Sequence, residues 1–178
     1  MTGPSRAHLT RETLMLRLKE LGIETKTVDH IPVFTVAESA EIERELQAVI
    51  PGAATKNLFF KDAKDKLYLF VAEAHAKIDL KLLHKQIGSA RLSFGKPDLL
   101  QAELGVTPGS VTAFAIANTE PERVTLLLDK TLAEAARINC HPLTNAATTN
   151  IAKADLLAFF RAHGHEPRII DLTIQPNA

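Results

Sequence analysis

Three short stretches carry side chains whose types and spacing suit chemistry. The first is TKNLFFKD, residues 55–62, where Lys56 and Asn57 stand side by side in an otherwise apolar strand-like run. Neighbouring strand residues point to opposite faces, so at least one of the two must face inward or line a cleft. A lysine ammonium is a compact charge suited to a phosphate, and an asparagine amide both donates and accepts. The second is GVTPGSV, residues 105–111, with Gly105 and Gly109 around Pro108. Such a loop can offer backbone N–H groups to a developing oxyanion, and it is equally an ordinary helix-ending turn. The third is CHPLTN, residues 140–145, where Pro142 breaks a strand and leaves His141 at its end. Cys140 and His141, being adjacent on a strand, face opposite ways and do not make a thiol–imidazole pair; Cys140 reads as a small core residue.

Other chemistries lack their motifs. The seven histidines form no HExxH pattern, and the single cysteine excludes a disulfide or a cysteine-rich metal site. The HGH at 163–165 follows a helix end, where histidine interacts well with the macrodipole. There is no GxSxG elbow, phosphate loop or dinucleotide fingerprint. Neither a metal site nor a nucleotide cofactor has support from these motifs. Lys plus Arg and Asp plus Glu number 21 each, so any contact with nucleic acid must be local. With no tryptophan and one tyrosine, base-stacking platforms would have to come from the eight phenylalanines, most of which read as core. No apolar run reaches the about 18 residues of a membrane span, and the N-terminus lacks a signal-peptide pattern, so a cytoplasmic protein is expected.

The positioning elements follow from periodicity. Residues 1–9 read as a loose lead-in and 10–178 as one domain. Thr10 caps a helix to about Leu21 with Leu14 and Leu18 on one face; Thr35 and Glu38 are spaced to open a second helix with Ile42, Leu46 and Ile50 as its stripe. TKNLFFKD and KLYLFVAE form a hairpin pattern, followed by a short helix capped by Asp79 and another entered at Pro97. RVTLLLD, RINCHP, ATTNI and EPRIIDL read as strands, and KADLLAFFRAHG as an amphipathic helix. Interspersed helices and strands with a hairpin argue for an α+β domain, a mixed sheet with helices packed on it.

In this order, HIPVFTVAES, TKNLFFKD, LGVTPGSVTAF, CHPLTNAATT and FFRAHGHEPRIIDL resemble the YbaK-like aminoacyl-tRNA editing domains. The similarity is greatest to free-standing bacterial prolyl-tRNA editing proteins that deacylate Ala-tRNA(Pro), and it spans roughly residues 10–172. It implies a single domain with a mixed, partly barrel-like sheet and flanking helices. It implies metal-independent hydrolysis of a mischarged aminoacyl-tRNA ester, with no cofactor. By position, the resemblance gives catalytic roles to Lys56, Asn57, Gly105 and Gly109. It gives substrate contacts to Lys56, Asn57, Pro108 and His141. Because a site shaped for proline excludes the smaller alanine poorly, a second, tighter pocket is expected, built by apolar residues near Leu58, Phe60 and His141. The loop here is Gly-x-x-Pro, one residue shorter than the family's frequent Gly-x-x-x-Pro. The implied partner is the acceptor end of a mischarged tRNA(Pro), with prolyl-tRNA synthetase or an elongation factor as transient partners and no membrane. Deacylation of Cys-, Ser- or unnatural aminoacyl-tRNA, or a non-catalytic tRNA- or protein-binding module, are the alternative readings.

Overall fold

The computed structural model describes residues 7–33 and 35–174. Six α-helices are α1 (Arg11–Glu20), α2 (Val36–Val49), α3 (Leu80–Ile87), α4 (Pro97–Leu104), α5 (Lys130–Ala133) and α6 (Lys153–Ala162). Eight strands are β1 (Thr25–Asp29), β2 (Ala53–Asp62), β3 (Leu67–Glu73), β4 (Leu92–Phe94), β5 (Val124–Asp129), β6 (Arg137–Cys140), β7 (Ala147–Ala152) and β8 (Arg168–Ile170). The strands form one open mixed sheet in the order β1-β7-β6-β2-β3-β5-β8, with β4 also on β2. The architecture is the α+β type expected, with an open sheet rather than a closed barrel.

β2 is the strand on which the site depends. Along one edge it pairs antiparallel with β3 from Thr55 to Lys61. Along the other it pairs with β6 only at Ala53 and Ala54, and with β4 only from Phe60 to Asp62. Residues 55–59 thus have no strand partner on that edge, because β6 and β4 run apart.

Alternation sorts side chains onto two faces. Asn57 and Phe59 point to the main core with Leu69 and Val71 packing nearby, beneath α1, α4, α6 and a 3₁₀ helix at Ala113–Asn118. Lys56, Leu58 and Phe60 point to the other face, where α3 covers a smaller cluster through Leu83 and Ile87. α2 sits on this second face too. Its end is pinned by two buried amides on β6 and β7: Asn139 donates to the Ile50 carbonyl at 3.1 Å, and Asn150 to the Pro51 carbonyl at 3.1 Å and to Asn139 Oδ1 at 2.8 Å.

Some local expectations changed. After the 105–111 loop the chain forms the buried 3₁₀ helix, for which no periodicity argued. Of the supposed lead-in, residues 7–9 are described, and Leu9 is docked, its N–H donating to Asn118 Oδ1 at 2.7 Å. α1 is capped by Thr10 as expected, and α2 by Thr35, whose side chain accepts from the Glu38 N–H.

Asp62 closes the β2–β3 turn and ties it to the segment before β4. Its carboxylate accepts from the N–H groups of Lys64, Lys66 and Ala90. Burial pushes its pKa up, but these three donors and the nearby Lys66 charge hold it, on balance, below the usual 3.8. Its stabilisation is therefore present above about pH 4 and lost as pH falls through the lower folded value. Asp62→Asn, which turns an NH₂ toward one of these donors, is expected to cost about 1–3 kcal/mol at pH 7 and to flatten the acid limb of stability; urea unfolding at pH 7 and pH 3.5 measures both.

Candidate active site

Between α2 and the second face of the sheet lies a cavity of about 80 Å³. α2 supplies Ser39, Ile42, Glu43 and Leu46; the sheet supplies Ala54, Thr55, Asn139, Cys140 and Thr148; His30, Val33, Ala74 and His141 close the ends. At about 80 Å³ it has room for only a few waters, each of which takes about 30 Å³ in the liquid. That is far below the about 300–1,000 Å³ of a drug-sized ligand site, and suits a small aliphatic group.

Two imidazoles meet in its wall with ring centroids 6.3 Å apart. His141 Nδ1 lies 3.0 Å from the Ala147 carbonyl, which only accepts, so Nδ1 carries the proton. Nε2 is left with a lone pair and no hydrogen-bond partner among the described residues. Burial lowers the His141 pKa, the Ala147 carbonyl opposes that, and the charge of His30 lowers it further, with a net shift down from 6.5. The ring is a neutral acceptor at pH 7. His30 is oriented the same way, with Nδ1 2.8 Å from the Ile31 carbonyl and Nε2 2.9 Å from Thr148 Oγ1.

Cys140 is not a nucleophile. Burial pushes its thiol up to about 12, against the opposing hydrogen bond with Thr55. Thiolate is therefore negligible at neutral pH, as the sequence reading of a core cysteine holds.

Lys56 shares the cavity's face, two residues along β2 from the lining Ala54. Its ammonium donates to the Ala76 carbonyl in the segment between β3 and α3. That segment is tied to α2 by His75 Nε2, 3.0 Å from Glu43 Oε1; the Glu43 hydrogen bond, then its charge and that of Glu73, raise the His75 pKa. Asn57 points to the opposite face, in the unpaired stretch of β2. Its Oδ1 is the one buried side-chain polar atom without a hydrogen-bond partner among the described residues. An orphan of this kind costs about 1–3 kcal/mol and calls for an explanation beyond folding.

The remaining expected residues lie outside the cavity. Leu58 and Phe60 are on its face but run away from it under α3, and Phe60 is fully buried in the smaller core. Gly105 ends α4 in a left-handed conformation at φ +68°; its N–H is used by the Gln101 carbonyl, and a Cβ there would meet His8 at 2.5 Å. Pro108 and Gly109, the latter at φ +91°, are the central pair of an exposed turn closed by Ser110 N–H on the Thr107 carbonyl. The loop reaches the site through its far end: buried Thr112 donates its hydroxyl to the His141 carbonyl and accepts from the Phe114 N–H. His30, Glu43, Asn139 and Thr148 were not foreseen as lining residues. His30 and Thr148 are 118 residues apart in sequence, and only the β1–β7 pairing brings them together.

The model of the aminoacyl-tRNA editing domain matches residues 30–159, which takes in α2, β2, the 105–111 loop and His141. The chain belongs to this family. Prolyl-tRNA editing protein ProX of Acetoanaerobium sticklandii is 37% identical over 163 residues, covering 91% of this chain and 97% of that protein. Prolyl-tRNA synthetase associated domain-containing protein 1 of Danio rerio is 36% identical, covering 90% and 86%. Among solved structures, a candidate trans-editing enzyme for prolyl tRNA synthetase superposes with a TM-score of 0.67 at 21% identity, covering 99% of this chain and 100% of that one. The last likeness establishes the fold of this editing domain. Among the described residues, no helix is long and apolar enough to cross a membrane, and no cluster of three or more metal-binding side chains occurs.

Two measurements follow from the histidine and its tether. Because the folded His141 pKa is depressed, stability is fully present above about pH 6.5 and declines as pH falls toward the folded value. His141→Gln is expected to reduce that decline between pH 7.5 and 5.5 in urea unfolding. Thr112→Val, which leaves the His141 carbonyl unpaired, is expected to cost about 1–3 kcal/mol and to shift the His141 imidazole NMR resonances, while Thr112→Ser restores both.

Proposed function

We propose that the protein is a trans-acting deacylase that hydrolyses mischarged Ala-tRNA(Pro). The observation that carries this reading is the small cavity walled by the unpaired Nε2 of a neutral His141, with Lys56 on the same sheet face, in a chain of the editing-domain family. The printed name of the ProX relative, a prolyl-tRNA editing protein, supports it.

An aminoacyl ester is already activated, so no strong nucleophile is needed. Holding a water, or the neighbouring ribose hydroxyl, against the carbonyl supplies much of the rate. In this reading the alanyl side chain enters the cavity beneath Leu46 and Ile42. His141 Nε2 accepts a hydrogen bond from the α-ammonium group or from the attacking hydroxyl. Lys56 exchanges the Ala76 carbonyl for a phosphate of the terminal nucleotide; Asn57, on the opposite face of the sheet, makes no contact with that nucleotide. Pro108 and Gly109 present the turn to the acceptor end, with Gly109 N–H as oxyanion donor; Gly105 shapes the loop by ending α4, its own amide being spent.

The size argument runs in the same direction. A synthetase pocket shaped for proline rejects alanine poorly, since each missing methylene is worth only about 1–3 kcal/mol. A second, tighter pocket reverses the selection, because a five-membered ring that fits the first does not fit the second.

The test is deacylation of a panel: Ala-tRNA(Pro), Pro-tRNA(Pro), Cys-tRNA(Pro), Ser-tRNA(Pro) and Ala-tRNA(Ala). Ala-tRNA(Pro) is expected to be hydrolysed fastest and Pro-tRNA(Pro) to be spared. Preference for the cysteinyl or seryl ester would reassign the substrate, and absence of any hydrolysis would leave a binding module. Lys56→Ala is expected to lower kcat/KM at least tenfold, about 1.4 kcal/mol; turnover near wild type would remove Lys56 from the mechanism.

A further inference from the structure

α1 and α3 each carry several basic residues that could meet RNA phosphates, and the structure separates the two helices. On α1, Arg11 is paired with Asp29 at 2.6 Å, and Arg17 with Glu20 and His163, both at 3.2 Å. That helix also packs on the main-core face of the sheet, away from Lys56 and the cavity. On the other side, Lys77, Lys81 and Lys85 are exposed and follow one another at four-residue intervals through the segment before α3 and along it. None of the three has an ion-pair or side-chain hydrogen-bond partner among the described residues. Within α3, Lys81 and Lys85 stand about 6 Å apart along the axis, close to the step between successive phosphates of a single strand.

Lys81 gives an independent indication. It occupies the first turn of α3, where the helix dipole disfavours a cation. Asp79 already caps this end, accepting from the Lys81 N–H at 2.9 Å, so the ammonium serves no helical purpose. α2, the neighbouring helix on the same face, is of opposite sign: Glu38, Glu41, Glu43 and Glu45 against one base, Arg44. A polyanion approaching this face is repelled on the α2 side of the cavity and attracted on the α3 side. The basic row begins one residue beyond Ala76, whose carbonyl holds Lys56.

Resting on the deacylase reading, we propose that the RNA backbone leading to the aminoacylated end runs along α3, with successive phosphates on Lys77, Lys81 and Lys85, and not over α1 or α2. The partner is a single RNA strand at the end of a duplex, recognised by backbone charge.

The test is binding, so it does not depend on turnover. A fluorescein-labelled, uncharged hairpin with the tRNA(Pro) acceptor stem and its single-stranded 3′ end is titrated at several salt concentrations. Replacing all three lysines by alanine is expected to lower the slope of log K against log salt by about 2, at about 0.7 per phosphate contact on a single strand. Arginine at all three positions keeps the slope, and so does Lys19→Ala on α1. An unchanged slope in the alanine variant, an equal loss from Lys19→Ala, or no hairpin binding by the wild type at low salt would each overturn the proposal. Equal competition by polyglutamate would do so as well, marking a face for acidic proteins. A panel showing another amino acid as substrate would leave the slope result standing, so the two readings fail separately.

Discussion

One constraint organises the rest: β2 cannot keep a full partner on both edges. β3 satisfies one edge continuously, but β6 and β4 take only the two ends of the other. A strand with a gap in its ladder is costly for folding alone, since unpaired backbone in the interior must find other partners. It is also the place where polar side chains can stand without breaking a sheet contact. Lys56 and Asn57 occupy this stretch. Pleating sends Lys56 to the face shared by the cavity and α3, and Asn57 to the main-core face with its oxygen unpaired.

The chemistry available at the cavity follows from burial as much as from residue identity. A thiol and two imidazoles could suggest a nucleophile and a base, but burial removes the thiolate and keeps His141 neutral. What remains is a set of fixed hydrogen-bonding atoms around a small apolar space. Each ring is aimed by a backbone carbonyl at Nδ1, so the lone pair at Nε2 has a set direction before anything binds. Such a site is suited to positional work on a bond that is already reactive, as the proposed deacylation requires, rather than to generating a reactive group of its own.

Much of this was legible in the sequence, and what was not has a physical reason. The caps at Thr10, Thr35 and Asp79 are local hydrogen bonds, and the short-range pattern specifies them. The opposition of Lys56 and Asn57 follows from a two-residue period that any strand obeys. Leu58 and Phe60 share the face of Lys56, but sequence does not say that α3, not α2, covers that part of the strand. Gly105 looked like part of a substrate loop, yet a glycine at a helix end and a glycine at a site read alike until the fate of its N–H is known. His30 and Thr148 depend on a pairing between the first and the seventh strand, which no local pattern encodes.

The seating of α2 shows how a buried polar group can serve a site it does not touch. Asn150 does not line the cavity. It nevertheless bonds Asn139, which does, and both amides hold the carbonyls that follow α2. Gly52 is part of the same arrangement, since a Cβ there would lie 2.8 Å from the Asn150 amide nitrogen. An apolar pair at these two positions would pack a helix against a sheet equally well, but would let it slide. Amide bonds of fixed direction set the height and register of α2 over the sheet, and so fix the width of the space beneath Ile42 and Leu46. In the proposed deacylase, where the pocket would distinguish a methyl group from a five-membered ring, that width is the quantity that matters, and it is held in part by a polar group, Asn150, that does not line the cavity.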